Sequence, residues 1–103
     1  VDDIVKAMII CGESNDAIGE VINIGSGTSS KFSDMVNEVV GCVNSGYISY
    51  VPWPKDYENI ETGDVSLDLT KLYRITGWKP ETSLREGIKK TFDFYKKNLN
   101  HYK

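Results

Sequence analysis

At 103 residues the chain holds one domain at most, enough for a modest core but small for an enzyme cleft of its own. Its 12 Lys and Arg against 15 Asp and Glu leave a net charge of −3, which argues against a nucleic-acid partner, since such binders carry a basic stripe. No apolar run reaches the roughly 18 residues of a membrane span and no cleavable leader is visible, so no membrane partner is expected and the reducing cytoplasm is the expected location.

The chain opens at Val1-Asp2-Asp3 on a helix start, which reads as a cut through a longer protein. Asp2 or Asp3 can cap this helix, because a short carboxylate accepts orphan N–H bonds of the first turn and suits the helix dipole. Ile4, Val5, Met8 and Ile9 fall on one face, and Gly12 is the natural stop. Residues 20–25, Glu20-Val21-Ile22-Asn23-Ile24-Gly25, read as a short buried strand, β-branched and ended by glycine. After the turn at residues 26–30, Phe32, Met35, Val36, Val39, Val40 and Val43 predict a second helix with Ser30 as its cap. Residues 47–51 supply a second strand, and a crossover of this length leaves the two strands parallel.

Pro52-Trp53-Pro54 ends regular structure, and residues 52–64 are the longest stretch without periodicity, a kind of loop that is often functional. A third helix follows with Asp68 as its cap, Leu69, Leu72, Tyr73 and Ile75 inward, and Gly77 and Pro80 as its stop. Ser83-Leu84-Arg85-Glu86 is a capping box opening a last helix that buries Leu84, Ile88, Phe92, Tyr95 and Leu99. The polar tail, residues 98–103, is expected to fray. The expected fold class is therefore α/β: about four helices around a short sheet with two parallel strands, and a further short strand near residues 64–67.

The search for chemistry is largely negative. Gly25-Ser26-Gly27 between a strand and a helix invites a dinucleotide reading, but the third glycine is replaced by Ser30 and no ribose-binding carboxylate ends the second strand. None of the six tyrosines is followed four residues later by lysine, so no Tyr-x-x-x-Lys proton-transfer pair is present and no catalytic residue is assigned. Cys11, Cys42 and the single His101 have no metal-ligand spacing, so no metal is expected; the cysteines read as small buried hydrophobes. The best site candidate is Glu61-Thr62-Gly63-Asp64. A carboxylate there can accept hydrogen bonds from sugar or ribose hydroxyls, while Tyr57 and Trp53 can stack on a ring. An equally simple reading makes Asp64 the end of a Gly-Asp turn and the aromatics a cover for the core.

Taken in order, Val1-Asp2-Asp3, Val21-Ile22-Asn23-Ile24-Gly25-Ser26-Gly27, Gly63-Asp64, Asp68-Leu69-Thr70-Lys71, Thr76-Gly77-Trp78-Lys79-Pro80 and Ser83-Leu84-Arg85-Glu86-Gly87-Ile88 form a familiar string. It resembles the C-terminal portion of the extended short-chain dehydrogenases, the NAD-dependent nucleotide-sugar epimerases and dehydratases of the UDP-glucose 4-epimerase type. The resemblance covers residues 1–97.

It implies a substrate-binding region over residues 1–97, with NAD and the Ser/Thr, Tyr and Lys catalytic set on a missing N-terminal Rossmann half. No cofactor is then expected on these residues alone. The parent would oxidise a sugar at C4 and either reduce it again or eliminate water first. By the same resemblance Asp3 caps a helix and steadies the cleft wall, and Asp64 is the acidic residue of an Arg-x-Gly-Asp-like element aimed at the nucleotide. Glu61 stands where that element has arginine, a reversal of charge at a diphosphate. The substrate-binding set is thus Asp64, Glu61 and Tyr57, with a nucleotide sugar and the Rossmann half as partners. Without that half, an apolar face should be exposed and the chain should self-associate. The alternative is an autonomous protein-interaction module using the aromatic loop 52–64, with Trp53 and Tyr57 as anchors.

Overall fold

Helix α1 spans Asp2–Glu13, α2 Phe32–Val43, α3 Thr70–Thr76 and α4 Leu84–Asn98 in the computed structural model, which describes residues 1–57, 60, 63 and 65–102. Short 3-10 turns sit at Asn15–Ala17, Lys55–Tyr57 and Leu99–His101. The chain forms two compact units, one of Val1–Ser29 with Val65–Thr82, the other of Ser30–Asp64 with Ser83–Lys103.

In the first unit α1 packs on α3. Its fully buried residues are Ala7, 0% exposed, and Leu72, 1% exposed. Positions three and four apart share a helix face, so the packed side of α1 is Asp3, Ala7, Ile10 and Cys11, all buried or half-buried. The side carrying Ile4, Val5, Met8 and Ile9 does form one face, as its spacing predicts, but that face points to solvent, with Met8 63% exposed. Hydropathy alone favoured the bulkier stripe; the small residue is the one that lets two helices approach.

Neither Asp2 nor Asp3 caps α1, whose N-cap is Val1 without a side-chain bond. Asp3 sits on the packed face and reaches across to residues 81 and 82 instead. Helix α3 stops as read. Gly77 takes φ 70°, the left-handed conformation that glycine adopts without strain, and its N–H donates to the Tyr73 carbonyl at 2.7 Å. At the other end Asp68 accepts the Thr70 N–H at 2.8 Å, one residue outside the N-cap, Leu69.

In the second unit α2 packs on α4, and Met35, Val36, Val40, Ile88 and Phe92 are half-buried. Ser30 does not cap α2; its N-cap is Lys31, with no side-chain bond. The capping box of α4 is complete. The Glu86 N–H donates to Ser83 Oγ at 3.2 Å while the Ser83 N–H donates to Glu86 Oε2 at 2.9 Å. Beyond α4 the 3-10 turn Leu99–His101 brings the Tyr102 ring edge-on to Tyr95 at 5.0 Å and to Phe94 at 6.5 Å.

The α/β expectation fails: among the described residues all regular structure is helical and there is no sheet. Residues 20–25 and 47–51 carry the β-branched and aromatic composition of strands, but that preference expresses fit to a paired neighbour. The two runs belong to different compact units, so neither finds a partner within its own. Both are open to solvent, Val21 84% and Tyr47 89% exposed. Residues 65–67 likewise join no ladder, and residue 64 lies outside the described set.

Candidate functional site

Of the three residues assigned to substrate from sequence, Tyr57 is described; Glu61 and Asp64 lie outside the described residues. Tyr57 closes the 3-10 turn Lys55–Tyr57 between two backbone bonds, donating its N–H to the Pro54 carbonyl at 3.0 Å and accepting that of Ile60 at 3.1 Å. Proline at 54 presets the turn that places the ring. Tyr57 and Trp53 are each more than half exposed.

A second feature went unnoticed in the sequence. The first unit holds a groove of about 670 Å3, lined by Ser26 and Gly27, by Asp68 to Thr70, by Tyr73, and by Trp78 to Pro80. Gly27 has φ 70°, and a Cβ there would stand 3.1 Å from Leu69 Cδ1; the backbone can pass this close because the residue is glycine. The neighbouring turn is closed internally, Ser26 Oγ donating to the Thr28 carbonyl at 2.9 Å. It also lies five residues ahead of α2, which starts at Phe32, so its N–H groups do not open a helix as a dinucleotide turn does.

Across the groove Lys79 Nζ sits 4.4 Å over the Tyr73 ring, a cation–π contact. Asp68 accepts the Thr70 hydroxyl at 2.6 Å as well as its N–H, and the hydroxyl first, then the N–H, hold its carboxyl below the ordinary 3.8. A carboxylate so depressed is a weak proton acceptor. The groove therefore offers one ammonium, one ionised carboxylate and two aromatic walls, a set suited to holding a polar ring-bearing molecule rather than to moving its protons. The sequence signal was present in Trp78-Lys79-Pro80, part of the motif string of the family resemblance, but was not read as a site.

Asp3 secures the wall. Its Oδ2 accepts the N–H of Thr82 at 2.9 Å and of Glu81 at 3.1 Å, its Oδ1 accepts the Thr82 hydroxyl at 3.2 Å, and Lys6 pairs with Glu81 beside it. The Thr82 N–H, opposed by desolvation and helped by the other two bonds, lowers the Asp3 carboxyl below 3.8. A group whose folded value is depressed contributes stability that is present above its unfolded value and lost as pH falls through the folded one. The melting temperature should therefore fall on acidification below about pH 5. Asp3→Asn should melt lower at neutral pH and converge with the wild type in acid, as circular dichroism melts at stepped pH would show; parallel curves would contradict the clamp.

In the second unit a hollow of about 330 Å3 lies along α2 and α4, with Cys42 and Phe92 as its apolar lining. Its charges are already paired, Lys89 to Asp93 at 2.8 Å and Arg85 to Glu38 at 3.7 Å. Among the described residues no group of three His, Cys, Asp or Glu could hold a metal ion, and no helix is long and apolar enough to cross a membrane.

No family model matches the chain, and no solved structure matches it. Curated relatives do. It is 28% identical over 93% of its length to a UDP-glucose 4-epimerase of Mycolicibacterium smegmatis and 33% identical over 96% to GDP-L-fucose synthase 1 of Arabidopsis thaliana. To the dTDP-D-glucose 4,6-dehydratase of Mus musculus it is 26% identical over 98%. The chain spans 29% of the length of each of these three proteins.

Proposed function

The chain belongs to the extended short-chain dehydrogenases, the family of nucleotide-sugar epimerases and dehydratases, and on that premise we propose that it is the C-terminal, substrate-side portion of such an enzyme. One observation carries the reading. Relatives named for UDP-, GDP- and dTDP-linked sugars match over nearly the whole chain, so what they share with it is the nucleotide-sugar framework and not one sugar. In this reading the larger remainder of the full-length protein supplies NAD and the proton-transfer groups. Asp64, Glu61 and Tyr57 contribute to the substrate site, with Tyr57 stacking on a ring and Asp64 accepting hydroxyl hydrogens. The cysteines, both free thiols and half-buried, suit the reducing cytoplasm.

The exposed stripe on α1 fits the same reading, since a face carrying Ile4, Val5, Met8 and Ile9 is an interaction surface in waiting. The test starts with the codons upstream of Val1, which should encode a glycine-rich NAD fingerprint and a Tyr-x-x-x-Lys pair. The full-length protein, given UDP-, GDP- and dTDP-hexoses, should then convert at least one of them, followed by NMR of the sugar ring, while the 103 residues alone convert none. Turnover by the 103 residues alone would refute the proposal, as would a reading frame that begins at Val1. In that last case the aromatic loop 52–64, with Trp53 and Tyr57 exposed, becomes the favoured site as a protein-interaction module.

A further inference from the structure

The end of α4 carries rings that its partner helix does not reach. Gly41 and Cys42, near the end of α2, line the hollow beside Lys89, Phe92 and Asp93, and α4 continues from there to Asn98. Past that point Phe94, Tyr95, Leu99 and Tyr102 are between 45% and 58% exposed, although Tyr95 and Leu99 have the spacing of inward positions. The three rings pack on one another instead, Tyr95 edge-on to Tyr102 at 5.0 Å and to Phe94 at 5.6 Å. Charge gathers at the same place. Residues 89–103 hold five lysines against one acid, Asp93, which Lys89 pairs at 2.8 Å. Lys90 and Lys97 lie one turn before and one turn after Phe94, and Lys96 Nζ stands 5.9 Å over the Phe92 ring.

We propose that this plate of rings is a docking surface for a partner protein, held through an acidic peptide segment that carries an aromatic side chain among its carboxylates. Phe94, Tyr95 and Tyr102 receive the aromatic anchor, while Lys90, Lys96 and Lys97 pair with the carboxylates around it. Because the rings already hold one another, little side-chain freedom is lost on binding, and more of the contact is realised as affinity. Charge decides the occupant. The cationic rim calls for an anion, but in residues 1–88 acids outnumber bases two to one, which repels an extended anionic surface such as a nucleic acid or a lipid bilayer. A short acidic segment meets only the rim. A second copy is a poorer occupant, since two such plates face to face would set lysine against lysine. The docking surface goes beyond the nucleotide-sugar reading and does not depend on it.

Fluorescence anisotropy of a labelled synthetic peptide, made of Asp and Glu around one central Trp and titrated with the full-length protein, tests this. The peptide should bind, with an affinity that falls as salt is raised. The same peptide with Lys in place of every acid, or with Gly in place of the Trp, should bind at least about tenfold more weakly. In the protein, Tyr102→Ala should weaken binding at least about tenfold and Lys97→Glu at least about fivefold. Both side chains are exposed, so both variants should melt close to the wild type; if one does not fold, the other decides. Failure of the acidic peptide to bind would overturn the proposal, and so would equal binding of the lysine peptide or wild-type affinity in the variants. Uptake by phosphatidylserine vesicles without peptide binding would overturn it in favour of a membrane, and self-association abolished by Tyr102→Ala without peptide binding would overturn it in favour of a second copy.

Discussion

Leu72→Ala should lower the unfolding free energy by about 2–5 kcal/mol, the usual range for emptying a fully buried aliphatic site. Leu72 is 1% exposed and is one of only two described residues that are fully buried, so little else compensates for its loss. It is the third residue of α3, a helix of seven residues, too short to persist without the packing it contributes. The cavity would open where α3 meets α1, because these two helices form the packed pair of the first unit. Urea titration should show a lower midpoint with an unchanged slope. Met8→Ala, on the exposed face of α1, is the control and should stay within about 0.5 kcal/mol of the wild type. A shift of that small size for Leu72→Ala would mean that α3 is not part of a cooperative core.

The start of α4 and the stop of α3 were legible because they are written in local chemistry, whereas α1 runs through Gly12, its expected stop, to Glu13. Ser83 and Glu86 close the capping box between themselves, and Gly77 ends α3 through its own φ angle. Neither needs a distant partner to be right. The strands were misread for the complementary reason. Val21-Ile22-Asn23-Ile24 has strand composition, but pairing is a property of two segments, and the second one is not within the same unit. Caps that required a choice between neighbouring residues failed as well. Asp3 has the chemistry of a cap, yet its carboxylate goes to Thr82, 79 positions away in sequence, a contact no local pattern encodes. The groove suffered the same fate, since Ser26 and Gly27 meet Asp68 to Thr70 only when the chain returns on itself.

Ala7→Leu separates the observed packing of α1 from the one its hydropathy suggests. Alanine and leucine have nearly equal helix propensity, so the helix itself is unchanged. At a site with 0% exposure, however, the added side chain has no room, and overpacking costs about 1–3 kcal/mol. Asp3 lies one turn earlier on the same face, so pushing α1 away from its neighbours should also stretch the bonds to Glu81 and Thr82. The variant should therefore lose part of the acid-dependent fall in melting temperature that the Asp3 carboxylate produces, and so resemble Asp3→Asn in its pH profile. If the stripe of Ile4, Val5, Met8 and Ile9 were the buried side, the order would invert: Ala7→Leu would be neutral and Met8→Ala costly. Measuring both substitutions, with melts at neutral and acid pH, decides between a helix that meets its own unit through a small residue and one that meets it through its bulkiest.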